Sequence, residues 1–173
     1  MCSSSHHALL CAKGSTGQHG LTLVELLVSM AILAVLAVVA LPYAEMTVKR
    51  TQELELKQSL RTIRSAIDRF ADDVATGRVS KLTEGVSDNG YPKTLQVLVN
   101  GVQANKANGD LIRYLRRLPA DPLTKQRGDT ETAWRLFGYQ DQPDTLFWNG
   151  KDVYDVRSTA TGQAIDGSLY GAW

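Results

Sequence analysis

A single carboxylate, Glu25, stands five positions after Gly20 at the front of a long apolar run. From residue 26 to residue 44 the chain carries no charge and few polar groups, Ser29 and Tyr43 among them. In a dry surrounding an ionised carboxylate is costly unless a partner meets it. Glu25 could therefore pair with an amine, or it could sit among head groups at a membrane edge; spacing alone leaves both open. Downstream chemistry is narrowed by an absence. Cys2, Cys11, His6, His7 and His19 all precede residue 20, so the sequence after Gly20 holds neither Cys nor His. Thiol nucleophiles, imidazole bases, Ser-His-Asp triads and almost all zinc or iron sites are excluded there, as are structural disulfides. What remains for an enzyme is Ser-Lys or carboxylate chemistry, and the expectation is that the chain is not an enzyme.

These residues need elements to position them. Residues 1–20 are rich in Ser, Gly and His and read as a targeting leader. Their one charged side chain is Lys13, so the formal charge of +1 belongs to this leader and the remainder is balanced. That balance exerts no general pull on nucleic acid and suits subunits that pack closely. At ~1.5 Å per residue, a helix over 26–44 covers roughly 28 Å, close to the hydrocarbon thickness of a bilayer. A buried soluble helix without a polar face would need a much larger protein around it. A cleaved secretory signal would have a shorter apolar core and a small-residue cleavage site after it.

Beyond Pro42 the pattern stays helical. Leu56, Leu60, Ile63, Ile67, Phe70 and Val74 fall on one stripe. The other face carries Glu53, Lys57, Arg61, Arg64, Asp68 and Asp72, and reads as solvated. Glu53–Lys57 and Arg64–Asp68 have the spacing of helical ion pairs. One helix from about Thr22 to Ala75 is expected, with Gly77 as its stop and Pro42, which cannot donate a hydrogen bond, inside it.

After Gly77 the spacing predicts a short helix near residues 94–100. The segment "NGDLIRYLRRLPADP" reads as a helical turn capped by Asp110 and stopped by Pro119 and Pro122. Its Arg113, Arg116 and Arg117 form a basic patch, read as a solvated face rather than a nucleic-acid surface. Strands are expected at 133–139, 145–148 and 152–156, the last two joined by a hairpin at Asn149-Gly150. Three antiparallel strands packed on the helical stripe make an α+β fold.

Gly20 followed by Leu21-Thr22-Leu23-Val24-Glu25 and the apolar helix resembles the type III signal of type IV pilins and type II secretion pseudopilins. Pro42 matches that family's mid-helix proline. "GYPKT", "YLRRLPADP" and the Gly- and Asp-bearing C-terminal loop are similar to the major pseudopilin, the G subunit. The resemblance implies a pilin-like fold with three parts: a cleaved leader at 1–20, a transmembrane and polymerisation helix at 21–44, and a periplasmic globular domain at 45–173. It implies a prepilin peptidase that cuts after Gly20, and methylation of the new amine on Leu21. It further implies single-pass anchoring in the bacterial inner membrane, then assembly into a helical homopolymer with minor pseudopilins and the inner-membrane assembly platform. The basic residues near the helix ends, Lys13 against Lys49, Arg50 and Lys57, would favour the opposite orientation, and the processing signal decides against them. In the polymer the resemblance places Glu25 near the Leu21 amine of a neighbouring subunit. The alternative is a type IV pilin or minor pilin of a surface or competence pilus. Finally, the resemblance implies a calcium ion in the C-terminal loop, with Asp155, Ser158, Asp166 and Ser168 as oxygen donors and carbonyls completing the shell.

Overall fold

The computed structural model describes residues 22–105, 109–124, 132–143, 145 and 147–173. Gly20 and Leu21 lie outside them. The chain divides into two compact units, Met1–Tyr43 and Ala44–Trp173. The expected long helix is present as α1, Leu23–Ala75, 53 residues, and its helical backbone continues through Pro42.

Within the first unit, no side chain of the helix is buried among the described residues. Every described side chain from 23 to 38 is exposed, Leu23 at 74% and Val38 at 72%. The apolar stretch is long enough to cross a membrane.

In the second unit the expected stripe is the core. Leu56, Leu60, Ile63, Ile67, Phe70 and Val74 are all buried. They pack in one cluster with Leu95, Leu98, Val102, Trp134, Val153 and Val156. Burying each large side chain contributes about 1.5–3 kcal/mol. The helix stops where glycine permits it: Gly77 adopts φ +74°, its amide reaches the Val74 carbonyl, and the Val79 amide reaches that of Asp73.

A short helix α2, Leu95–Asn100, follows as expected. Strand β1, Val102–Gln103, pairs antiparallel with β2, Leu111–Ile112. The helical turn expected after Asp110 is therefore corrected to a strand and an irregular descent. Two forces draw the segment away from helix: Leu111–Ile112 complete a ladder, and the amides of Tyr114 and Leu115 both donate to the Leu98 carbonyl. Leu115 is thereby turned into the core.

The second sheet pairs β3, Trp134–Phe137, with β4, Asp155–Ser158, in antiparallel register from Trp134↔Ser158 to Phe137↔Asp155. Among the described residues the expected hairpin at Asn149-Gly150 does not form, and β3 and β4 pair directly across a long connection. That connection folds around a buried carboxylate. Asp152, fully buried, accepts from the Tyr139 amide at 3.0 Å and from Asn89 Nδ2 at 2.6 Å. Asn149 caps its own turn by accepting from the Lys151 amide. Two small antiparallel sheets beside one long helix make the α+β pilin-like fold; the single three-stranded sheet expected from the pattern is replaced by two pairs among the described residues.

Candidate functional site

At the front of α1, Thr22 precedes the first helical residue and Glu25 occupies the third helical position. The Glu25 amide donates to Thr22 Oγ1 at 3.2 Å, and the Leu26 amide donates to the Thr22 carbonyl at 3.1 Å. Thr-x-x-Glu is the spacing of a capping box. Its threonine satisfies an amide that the helix itself leaves unpaired. The carboxylate then sits in the first turn, where the helix dipole favours negative charge. Ser29 Oγ returns a hydrogen bond to the Glu25 carbonyl at 2.8 Å. This cap was readable in the sequence, and it supplies a local role for Glu25 that the signal motif alone does not mention.

Residues 15–41 match the family model of the prokaryotic N-terminal methylation motif. The match covers the residues just before the helix, then Thr22, Glu25 and most of the exposed apolar helix. It supports a type IV pilin-like chain, a substrate of prepilin peptidase and a structural rather than catalytic class of protein. With the apolar helix it supports anchoring by a single membrane span. Nothing among curated proteins or solved structures matches the chain.

The four oxygen donors expected at the C-terminus are not arranged as one cage. Asp155 Oδ1 accepts from Arg64 Nε at 2.7 Å and from the Val156 amide at 2.8 Å, while Oδ2 lies 4.0 Å from Arg157 Nε. Ser158 is fully buried; its Oγ donates to Asp121 Oδ2 at 2.5 Å and accepts from the Ala160 amide. Asp166 Oδ1 accepts from both the amide and the hydroxyl of Ser168, at 2.9 and 2.6 Å. Those two bonds hold the Asp166 carboxyl below the usual carboxylate range. Ser168 Oγ in turn accepts from Trp173 Nε1 at 2.7 Å. Calcium takes six to eight oxygens at about 2.3–2.6 Å. Here Asp155 faces two guanidinium groups, Ser158 faces a different carboxylate, and Asp166 closes a turn. Among the described residues no three His, Cys, Asp or Glu side chains gather as a metal site. These residues do not fit a calcium ion.

Two residues expected on a solvated face do structural work instead. Glu53 is only 8% exposed; its Oε1 accepts from the Ile165 amide and from Tyr170 Oη, each at 2.9 Å. Arg64 pairs with Asp155 rather than Asp68, and no Glu53–Lys57 salt bridge forms among the described residues. Periodicity could not find these roles, because both partners lie about a hundred positions away. Arg113, Arg116 and Arg117 are exposed, as the sequence suggests, though on an irregular segment rather than a helix.

Proposed function

We propose that this chain is a pseudopilin of type II secretion, most similar in role to the major G subunit. Prepilin peptidase cuts after Gly20 and the amine of Leu21 is methylated. The anchored subunit, with its globular unit in the periplasm, is then drawn into a helical homopolymer alongside minor pseudopilins and the inner-membrane assembly platform. The observation that carries this reading is the methylation motif over residues 15–41 running into an apolar helix with exposed side chains. An apolar surface without a polar seam adheres to lipid or to copies of itself.

Adhesion between apolar faces is not directional, so a register device is needed. Glu25 supplies it. After cleavage, the Leu21 amine of one subunit meets the Glu25 carboxylate of its neighbour and fixes the axial stagger. Pro42 leaves one helical carbonyl without its usual donor, which gives the helix a point of local adjustment.

Mass spectrometry of the mature protein tests the first step. The expected N-terminus is N-methylated Leu21, and any other N-terminus sinks the proposal. Deletion of the gene then separates pseudopilus from pilus. Loss of secretion with surface pili intact is the expected result; loss of surface pili with secretion intact would assign a type IV pilin instead.

A further inference from the structure

The C-terminal donors that could have gathered a calcium ion are joined by the chain's own groups. Arg64 is the hub. Its Nε donates to Asp155 Oδ1 at 2.7 Å, and its Nη2 donates to the Val156 carbonyl at 2.9 Å and to the main-chain oxygen of Trp173 at 2.7 Å. One guanidinium thus collects three oxygens from both ends of the segment 155–173. From Trp173 the connection passes through its indole N–H to Ser168, and from Ser168 to Asp166. Three of the four expected calcium donors are therefore strung on a chain that has Arg64 where a cation would stand.

We propose that residues 155–173 are fastened by a helix-borne clamp, with Arg64 in the role of a divalent cation, and that the fold is indifferent to calcium. Glu53, Lys57 and Arg64 make the clamp. At 3.6 residues per turn these positions fall within about 40° of arc on α1. Glu53 holds Ile165 and Tyr170. The Lys57 ammonium sits 4.1 Å from the centroid of the Trp173 ring, a cation–π contact. Arg64 holds the two ends. A guanidinium suits this task because it stays charged and presents donors in a rigid planar fork. It also excludes the alternative: a dication bound to Asp155 would stand beside Arg64 and Arg157, two fixed positive charges, and would have to displace the first.

The test uses the full-length chain in detergent micelles. All three tryptophans, Trp134, Trp148 and Trp173, lie in the second unit, so their fluorescence reports its unfolding. The wild-type melting midpoint is expected to be the same in chelator and in millimolar calcium. Arg64→Gln is expected to lower it by several degrees and to speed proteolytic cleavage within residues 155–173, with Arg64→Lys intermediate. A wild-type midpoint that rises by several degrees in calcium overturns the proposal. So does an Arg64→Gln protein that matches wild type in both midpoint and proteolysis. The calcium comparison needs only the wild-type chain, so it decides even where a variant does not fold. No measurement here depends on cleavage, assembly or secretion, so the proposed function can fail independently.

Discussion

Tyr170 Oη donates a hydrogen bond to Glu53 Oε1 at 2.9 Å, across 117 positions of the chain, and both side chains are buried. The Ile165 amide reaches the same oxygen at 2.9 Å. One carboxylate on α1 thus satisfies two donors of the C-terminal segment. Without it the hydroxyl of Tyr170, a buried side chain, would be stranded.

Replacing Glu53 should separate acceptor loss from charge loss. Glu53→Ala leaves the buried Tyr170 hydroxyl unpaired and removes the acceptor of the Ile165 amide, and is expected to cost about 1–3 kcal/mol. Glu53→Gln keeps an acceptor oxygen and should cost less than half of that. Urea unfolding followed by tryptophan fluorescence measures both. An alanine variant as stable as wild type would contradict the role assigned to Glu53.

The same contact makes stability depend on alkaline pH. Burial, then the hydrogen bond and negative charge of Glu53, push the Tyr170 phenol up to about 12 from its ordinary 10. Above pH 10 the unfolded chain releases this proton while the folded chain retains it. Stability is therefore full below pH 10 and declines as pH rises toward 12. Burial and a hydrogen bond to Asp73 likewise push Tyr114 up, and it adds to the same slope. Tyr170→Phe should flatten the decline between pH 10 and 12 while lowering stability at neutral pH. A variant with the wild-type slope would contradict this assignment.

At the other end of α1, charge and capping can be told apart. Glu25→Gln removes the charge yet keeps a residue suited to the capping box. Membrane insertion and helix content should be unchanged, while filament yield falls by about tenfold, equivalent to about 1.4 kcal/mol. Thr22→Ala removes the side-chain acceptor of the Glu25 amide and should cost about 1 kcal/mol of local helix stability, with the charge intact. Sheared-filament assays and circular dichroism read the two effects. Normal filaments from Glu25→Gln would remove the register role.

Gly101 links α2 to β1 at φ +86°, and a Cβ there would lie 2.6 Å from the Ile112 carbonyl oxygen. Both the backbone conformation and the close approach of β2 require glycine. Gly101→Ala is expected to destabilise the second unit by about 2 kcal/mol or more. Gly77→Ala, which has the positive φ but open space around it, should cost less. Equal losses for the two variants, measured by urea unfolding, would show that the contact with Ile112 is not what matters.

Much of this architecture is local and could be read in advance. The helix from Leu23 to Ala75, its buried stripe, its stop at Gly77 and the short helix before Asn100 all follow from periodicity and glycine. Such signals depend on neighbours three or four positions away, so a sequence displays them directly. The methylation motif is likewise contiguous. Pairings at long range were different. Nothing near Asn149-Gly150 announces that Asp152 will be buried under Asn89 and the Tyr139 amide, or that β3 will skip the intervening residues to reach β4. A turn signal states that the chain can reverse, and burial decides where it does. Glu53, Lys57 and Arg64 have the composition of a solvated helix face. Only when the C-terminal segment is laid against them do they become a clamp, because a charge at a given helical angle is solvated or paired according to what packs beside it. The residues of the N-terminal signal were thus determined by the sequence, whereas the partners of Asp155 and Asp166 were decided by tertiary structure.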